Sequence, residues 1–315
     1  MIAFGPVPSR RLGQSLGINN IPPKACPYSC LYCQVGRTAV TEIVPRAFYP
    51  PEVILQSVRT RLDRLAERGE PVDWLTFVPD GEPTLDIALG ETIERLRPLG
   101  VPIAVITNSA LVWRADVRAA LQQADWISVK VDATDAALWR RVNRPHPALD
   151  LQAILAGIAQ LAHEFRGTLV TETMLVAGIN DTPESVAGVA DVLAGISPAT
   201  AYLAVPTRPP AEPDTRPPDE ATLVRAYQQL SARLPRVETL ISDEGEAFAT
   251  TGRIADDLLA VTAVHPLREE AVRVLLAKAD ADWQVVEHLL AAGALRCVEY
   301  QGHRFYQRRL PGSRH

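Results

Sequence analysis

Between about residues 14 and 245, short apolar runs alternate with longer stretches whose apolar positions recur at helical spacing. The runs "QSLGIN", "VDWLTFVPD", "VPIAVITNS", "DWISVKVDA", "GTLVTETMLVAG" and "TAYLAVPTRPP" read as strands. Stretches at 51–68, 114–123, 150–164 and 183–195 read as helices between them. Strand-then-helix repetition implies a parallel sheet with right-handed crossovers. Six such units predict an α/β fold, a partial (β/α)6 TIM-type barrel short of closure. "RVETLISDEGE" would add a last strand and turn.

The stretch "VPTRPPAEPDTRPPDE", Val205 to Glu220, holds six prolines. Because it directly follows a strand, we read it as a rigid loop over the barrel mouth rather than a linker. After Arg253 the pattern changes. "DDLLAVTAV", "LREEAVRVLLAKA" and "DWQVVEHLLAAGAL" read as helices, the glycine of "AAGAL" ending the third. "RCVEYQGHRFYQRRL" reads as two strands joined at "QGH". Helices followed by a hairpin predict a small winged-helix-like domain over 251–315, with the barrel over 1–250. The last 20 residues carry five arginines against one Glu, a basic footprint for phosphates; a protein-docking or lid unit is the alternative.

Composition narrows the class only a little. Of 315 residues, 47% are hydrophobic and 22% charged, ordinary for a globular protein. A net charge of −5 argues against coating nucleic acid by bulk charge and leaves room for a local basic patch. The start, "MIAFGPVPSRRLG", carries two arginines where a signal peptide would be apolar, and no run reaches the ~18 apolar residues of a membrane span. A cytoplasmic location with no membrane partner is the expectation.

Cysteine usage is more telling. Three of the four cysteines, Cys26, Cys30 and Cys33, fall within "KACPYSCLYCQVGR". A disulfide framework is disfavoured, since three is odd and Cys297 is remote. Structural zinc usually takes four ligands, and no second Cys or His pair stands at such spacing. An iron–sulfur cluster with one open iron is the leading reading, with catalytic zinc and redox-active thiols behind it. Cys297 reads as a packed thiol on a wing strand.

The spacing Cys-x3-Cys-x2-Cys, with aromatic Tyr32 before the last cysteine, resembles the radical S-adenosylmethionine (SAM) superfamily. More narrowly, "GPVPSRRLGQSLGIN", "DGEPTLD", "VNRPHP" and "TAVHPLREEA" resemble the wyosine-synthase-related Fe–S oxidoreductases, over nearly the whole chain. The resemblance implies a 4Fe–4S cluster on Cys26, Cys30 and Cys33, with SAM chelating the fourth iron. Reductive cleavage to a 5′-deoxyadenosyl radical would follow, fed by an electron donor such as flavodoxin or ferredoxin.

It also implies roles for residues at strand ends. "PDGEPT" resembles the family's Gly-Gly-Glu-Pro element with Asp80 replacing the first glycine, so groups around Gly81 and the Glu82 carboxylate would meet the methionyl ammonium. Asn108 would bond cofactor hydroxyls, while Thr107 and Ser109 would cap the next helix. Asp132 would accept ribose hydroxyls. Lys130, where relatives often carry a small polar residue, would pair with the cofactor carboxylate or with Asp132. Tyr32, Met174 and Ile179 would lie near adenine or simply pack as core. Arg10 and Arg11 would face an anionic substrate. Arg140, Arg141, Arg144 and His146 would form a loop after the fourth strand, either binding phosphate or standing as a solvated basic turn. No catalytic residue is assigned.

One departure limits the substrate. Wyosine synthases are expected to carry a second cysteine cluster and a reactive lysine for pyruvate, and Cys297 alone cannot supply the former. The expectation is a radical SAM enzyme modifying a macromolecule, RNA or tRNA first and a peptide or protein second, through the C-terminal domain. The other class is a metal-thiolate, redox- or iron-sensing DNA-binding regulator. Gly81, Glu82, Asn108 and Asp132, all at predicted strand ends, speak against it.

Overall fold

The computed structural model describes residues 2–241 and 248–309. Eight strands form one curled sheet in chain order: β1 (Ala3–Ser9), β2 (Gly13–Ile18), β3 (Trp74–Phe77), β4 (Ile103–Thr107), β5 (Trp126–Lys130), β6 (Thr168–Met174), β7 (Ala201–Ala204) and β8 (Val237–Leu240). Strands β2 to β8 pair in parallel, each with its sequence neighbour. Strand β1 is antiparallel to β2, with Ala3 opposite Ile18 and Ser9 opposite Gly13. The six strands read from the chain and the last strand in "RVETLISDEGE" are the seven parallel ones, and the reading is corrected by one further strand, the antiparallel edge β1. Part of the stretch read as the last strand and turn lies outside the described residues.

Seven helices connect the sheet: α1 (Pro51–Ala66), α2 (Leu89–Leu96), α3 (Ala115–Leu121), α4 (Ala136–Asn143), α5 (Leu151–Glu164), α6 (Pro183–Ile196) and α7 (Glu220–Ser231). Their starts follow the capping chemistry of the chain. Asp135, Asp150, Thr182 and Asp219 accept first-turn backbone N–H groups of α4, α5, α6 and α7. Helix α4 corrects the expected loop: Arg140 and Arg141 lie in its last turn, and Arg144 ends it in the left-handed conformation at φ 46°.

The strands alternate faces. Ile103, Val105, Ile127, Val129 and Leu203 point outward into the main core beneath the helices. Trp126, Val170, Tyr202 and Ala104 point inward and bury Leu12 from the tip of the β1–β2 hairpin. Arg11 at that tip stands 5.9 Å from the Trp126 ring centroid and 5.7 Å from that of Tyr202. The hairpin tip thus fills the interior toward the N-terminal ends of the strands.

Residues after 248 continue the fold. Helices α8 (Ile254–Val264), α9 (Glu269–Lys278) and α10 (Gln284–Ala291) are followed by the hairpin of β10 (Leu295–Tyr300) and β11 (His303–Arg308). A short strand, β9 (Leu267–Arg268), joins β11 and makes a three-stranded sheet ordered β10-β11-β9. Gly293, at φ 67°, ends α10 as expected of that glycine. Helix α8 packs on β1, with Ala260 and Val264 against Phe4. Arg61 of α1 meets Asp257 of α8 at 2.9 Å, both buried, and also donates to the Gly5 carbonyl. Asp257 accepts in addition from Thr250 and Thr251. No described helix is long and apolar enough to cross a membrane.

Removing one member of a buried, hydrogen-bonded ion pair leaves the other charge uncompensated. Asp257→Ala is therefore expected to lower unfolding free energy by about 3–5 kcal/mol, read from the shift of the urea midpoint.

Candidate active site

The long segment between β2 and α1 carries the three cysteines. Its course is fixed by the turn after β3. Lys24 N donates to Asp80 O at 2.8 Å, and Glu82 N donates to Ala25 O at 2.9 Å. Between these two bonds Gly81 lies so close that a Cβ there would stand 2.1 Å from Ala25 O. Only glycine lets the two backbones approach this far. Lys24 itself adopts the left-handed conformation at φ 65°, turning the chain into Cys26.

A cavity of about 350 Å³ opens over the C-terminal ends of the strands. Cys26, Cys30, Cys33, Tyr32, Gly81, Asn108, Lys130 and Met174 all line it, as do Arg10 and Arg11. Eight residues expected to hold cofactors, drawn from sites up to about 150 positions apart, are thus brought to one wall. Each thiol sulfur receives one side-chain N–H donor. Asn108 Nδ2 reaches Cys26 Sγ at 3.3 Å, Asn143 Nδ2 reaches Cys30 Sγ at 3.5 Å, and Lys24 Nζ reaches Cys33 Sγ at 3.5 Å. Burial pushes the Cys26 thiol well above its ordinary value and Cys30 up to about 12, and the neighbouring thiolates add to both shifts. Thiolates crowded this way ionise together only around a cationic group.

Glu82 and Asp132 stand behind the wall and are not among its described lining residues. Glu82 is fully buried. Its Oε1 accepts from Thr84 N, Thr84 Oγ1 and Thr107 Oγ1, and its Oε2 from Asn108 N at 2.7 Å. Burial raises its pKa, and those four bonds counter the rise. Asp132 accepts from the Tyr32 hydroxyl, from Asn143 Nδ2 at 2.7 Å and from Met174 N at 2.8 Å. Both carboxylates brace the strand ends that lead into Asn108 and carry Met174, and Asp132 also holds Tyr32 of the cysteine segment. Thr107 and Ser109 do not cap α3; Thr107 holds Glu82, and Ser109 Oγ accepts from Lys130 N at 2.8 Å.

Lys130 forms its ion pair with Glu172 at 2.6 Å rather than with Asp132, and Glu172 also binds Arg11 at 2.7 Å. Lys130 Nζ sits 4.7 Å from the Tyr32 ring centroid. Burial alone would depress the lysine, but Glu172 and Asp132 hold it above its ordinary value, so it stays charged. Glu172 is correspondingly pulled down to about 2, burial opposing and Lys130 and Arg11 prevailing. The sequence reading missed Glu172, although the inward phase of "TETM" on β6 carried the signal. Asn143, Lys24, Gln34, Arg208 and His265 were missed as well. Arg208 of the proline-rich loop donates to Gln34 Oε1 at 3.3 Å and lies 3.0 Å from His265 Nε2, all three lining the cavity. That loop therefore belongs to the cavity rim, as expected, with Glu212 N donating to Leu31 O. His146, Arg140, Arg141, Arg144 and Ile179 are not among the described lining residues. His146 Nδ1 accepts from Ala148 N at 3.2 Å. Cys297 is exposed on β10, not packed.

With this geometry in view, comparisons with known proteins become informative. The radical SAM superfamily model matches residues 20–193. A UPF0026 protein of Methanocaldococcus jannaschii is 44% identical over 98% of this chain and 96% of its own. A UPF0026 protein of Helicobacter pylori is 31% identical over 87% of this chain and 88% of its own. The structure of TYW1 with a lysine–pyruvate adduct superposes with a TM-score of 0.52 at 16% identity, over 71% of this chain and 76% of that one. The chain belongs to the radical SAM superfamily, whose members are enzymes using a 4Fe–4S cluster and S-adenosylmethionine. Within that class, UPF0026 proteins are among the relatives it matches over most of their length.

The donor set fits the cluster. Among the described residues no three or more His, Cys, Asp or Glu side chains converge on one ion. The three thiols line one cavity, each with its own N–H donor, as suits a cluster offering a separate iron to each thiolate.

Two outcomes follow. Gly81→Ala should push the Ala25 carbonyl away and, with it, Cys26; overpacking of this kind costs about 1–3 kcal/mol. Iron and sulfide content per chain after anaerobic reconstitution should fall well below wild type. Lys24→Met keeps the aliphatic stem while removing the charged donor to Cys33. Its cluster midpoint, read by EPR-monitored redox titration, should move to more negative potential, because N–H donors and positive charge favour the reduced cluster.

Proposed function

We propose that this enzyme uses radical SAM chemistry to modify RNA, held by a winged-helix-like unit over residues 251–315 at the mouth of a barrel over 1–250. The observation that carries this reading is the shared cavity. Its inner wall holds Cys26, Cys30 and Cys33, and its outer wall includes Val264 and His265 from the C-terminal segment. A macromolecule docked on that segment would stand at the rim of the reacting centre.

When bound, the cluster and SAM supply reductive cleavage of the sulfonium, the source of hydrogen-abstracting power. The remaining work belongs to side chains. Asn108, Asn143 and Lys24 would orient the three thiolates. Lys130, kept charged by Glu172, would attract the cofactor carboxylate; Tyr32 and Met174 would wall the adenosyl portion, and Asp132 would hold both in place. Lys130 is kept a charged ammonium beside Glu172, and Lys24 Nζ donates to Gly36 O at 2.6 Å, so neither offers the neutral amine an adduct needs. A lysine adduct of the kind named for TYW1 therefore forms no part of this reading.

The RNA assignment draws on the hairpin. Arg296, Arg304, Arg308 and Arg309 lie on or beside β10 and β11, and the Arg304 side chain is 69% exposed. Arg314 of the same basic run lies outside the described residues. Gln307 Nε2 reaches back to Gln34 O at 3.5 Å, linking this sheet to the residue after Cys33. Phosphates on the hairpin would thus be coupled to the cysteine segment. An acidic flavodoxin or a ferredoxin is the class of electron donor the chemistry requires.

Anaerobically reconstituted protein with SAM and a strong reductant should release 5′-deoxyadenosine, and Cys30→Ala should release none above background. Structured RNA should accelerate release and bind in a salt-sensitive way. Acceleration by peptides and not by RNA would reject the RNA assignment. No release from wild type with an intact cluster would reject the enzymatic reading.

A further inference from the structure

Asp80 is the position at which this chain departs from two glycines before Glu82, and it is only 2% exposed. Its backbone is clamped on both sides: Asp80 N donates to Asn19 Oδ1 at 3.0 Å, and Asp80 O accepts from Lys24 N at 2.8 Å. The direction of its side chain is therefore set by β2 and by the cysteine segment together. Asp80 lines the same cavity as the three thiols, and its Oδ1 is buried without a hydrogen-bond partner. A desolvated carboxylate oxygen left unpaired is unfavourable, and a charged one more so. Such a cost is tolerated where a ligand supplies the missing donor. The most favourable donor to a carboxylate is a cationic N–H group.

Glu82 is poorly placed for that task. Its two oxygens already accept four hydrogen bonds from Thr84, Thr107 and Asn108, and it lies behind the wall. Asn19, Arg308 and Lys24 all act on the Asp80 carboxylate, yet none donates a hydrogen bond to its Oδ1, and the Lys24 ammonium is held by Gly36 O and Cys33 Sγ. The cavity thus presents one unsatisfied carboxylate oxygen close to the cysteine segment, and the ligand this family binds there carries one primary ammonium. We propose that Asp80, not Glu82, is the carboxylate that receives the ammonium of bound S-adenosylmethionine. The proposal rests on the radical SAM reading and assigns Asp80 as a specificity residue for the amino-acid end of the cofactor. Glu82 serves as the internal strut that positions the Asp80–Gly81 turn against β4.

The test is equilibrium binding to anaerobically reconstituted protein, free of reductant, so that no turnover is needed. The probes are S-adenosylmethionine and 5′-methylthioadenosine, which keeps the adenosyl group and lacks the amino-acid moiety. Asp80→Asn should weaken SAM binding by about tenfold or more, while 5′-methylthioadenosine affinity changes less than about twofold. Asp80→Glu, which keeps the charge, should retain more SAM affinity than Asp80→Asn at equal cluster content. Equal losses for both probes, or none for SAM, would overturn the assignment while leaving the family reading intact. Should Asp80→Asn lose the cluster, the comparison passes to Asp80→Glu. There, a loss shared equally by the two probes overturns the assignment, and a loss confined to SAM supports it. Absence of SAM binding by the wild-type holoprotein would instead overturn the reading on which the proposal rests.

Discussion

The contact on which this molecule turns is the approach of two backbones at Gly81. The turn after β3 and the cysteine segment are joined by a pair of main-chain hydrogen bonds on either side of a residue with no room for a Cβ. Everything chemical is measured from that seam. It sets where Cys26 begins, it places Asp80 at the cavity, and it turns Glu82 inward to bind Thr107 and Asn108 at the end of β4. Asn108 then reaches the Cys26 sulfur. One steric constraint thereby couples the metal ligands to the barrel.

A second level of organisation braces that seam from the far side. Asp132 and Asn143 connect β5 and α4 to Tyr32 and Cys30. The Arg11–Glu172–Lys130 chain runs through the interior from the hairpin tip to the cavity wall. Buried ion pairs contribute little net stability but are costly to break, so they favour one arrangement over its alternatives. Here they keep a lysine charged beside an aromatic ring in the cavity. The C-terminal segment is drawn into the same construction through Arg61–Asp257 and through Gln34 bonding to Val264 O at 2.7 Å.

Much of this was legible in the chain. The inner strands announce themselves because runs such as "WISVK" and "IAVIT" are buried on both faces. The cysteines, Gly81, Asn108, Lys130 and Met174 were placed together because strand ends converge in such a sheet. Strand β1 was not legible because "AFGPVPS" holds a glycine and two prolines, which a strand tolerates mainly at an edge, and β1 is an edge. Helix α4 hid because it has only 8 residues and ends in the basic turn at Arg144. The site's polar logic was less legible still. A carboxylate beside Gly81 reads as a ligand group from sequence, yet burial turned Glu82 into a strut, and its equally buried neighbour Asp80 is the one that lines the cavity. The strand phase of "TETM" marks Glu172 as inward, but its partners Lys130 and Arg11 show only once the sheet curls.

Cys26, Cys30 and Cys33, on our reading, hold a four-iron cluster whose remaining iron is open to SAM in this cavity. Mössbauer spectroscopy of protein reconstituted with iron-57, recorded with and without SAM, tests it most directly. The account predicts a four-iron spectrum in which SAM shifts the signal of one iron and leaves the other three in place. A mononuclear site, or a four-iron spectrum that SAM leaves unchanged, would contradict it.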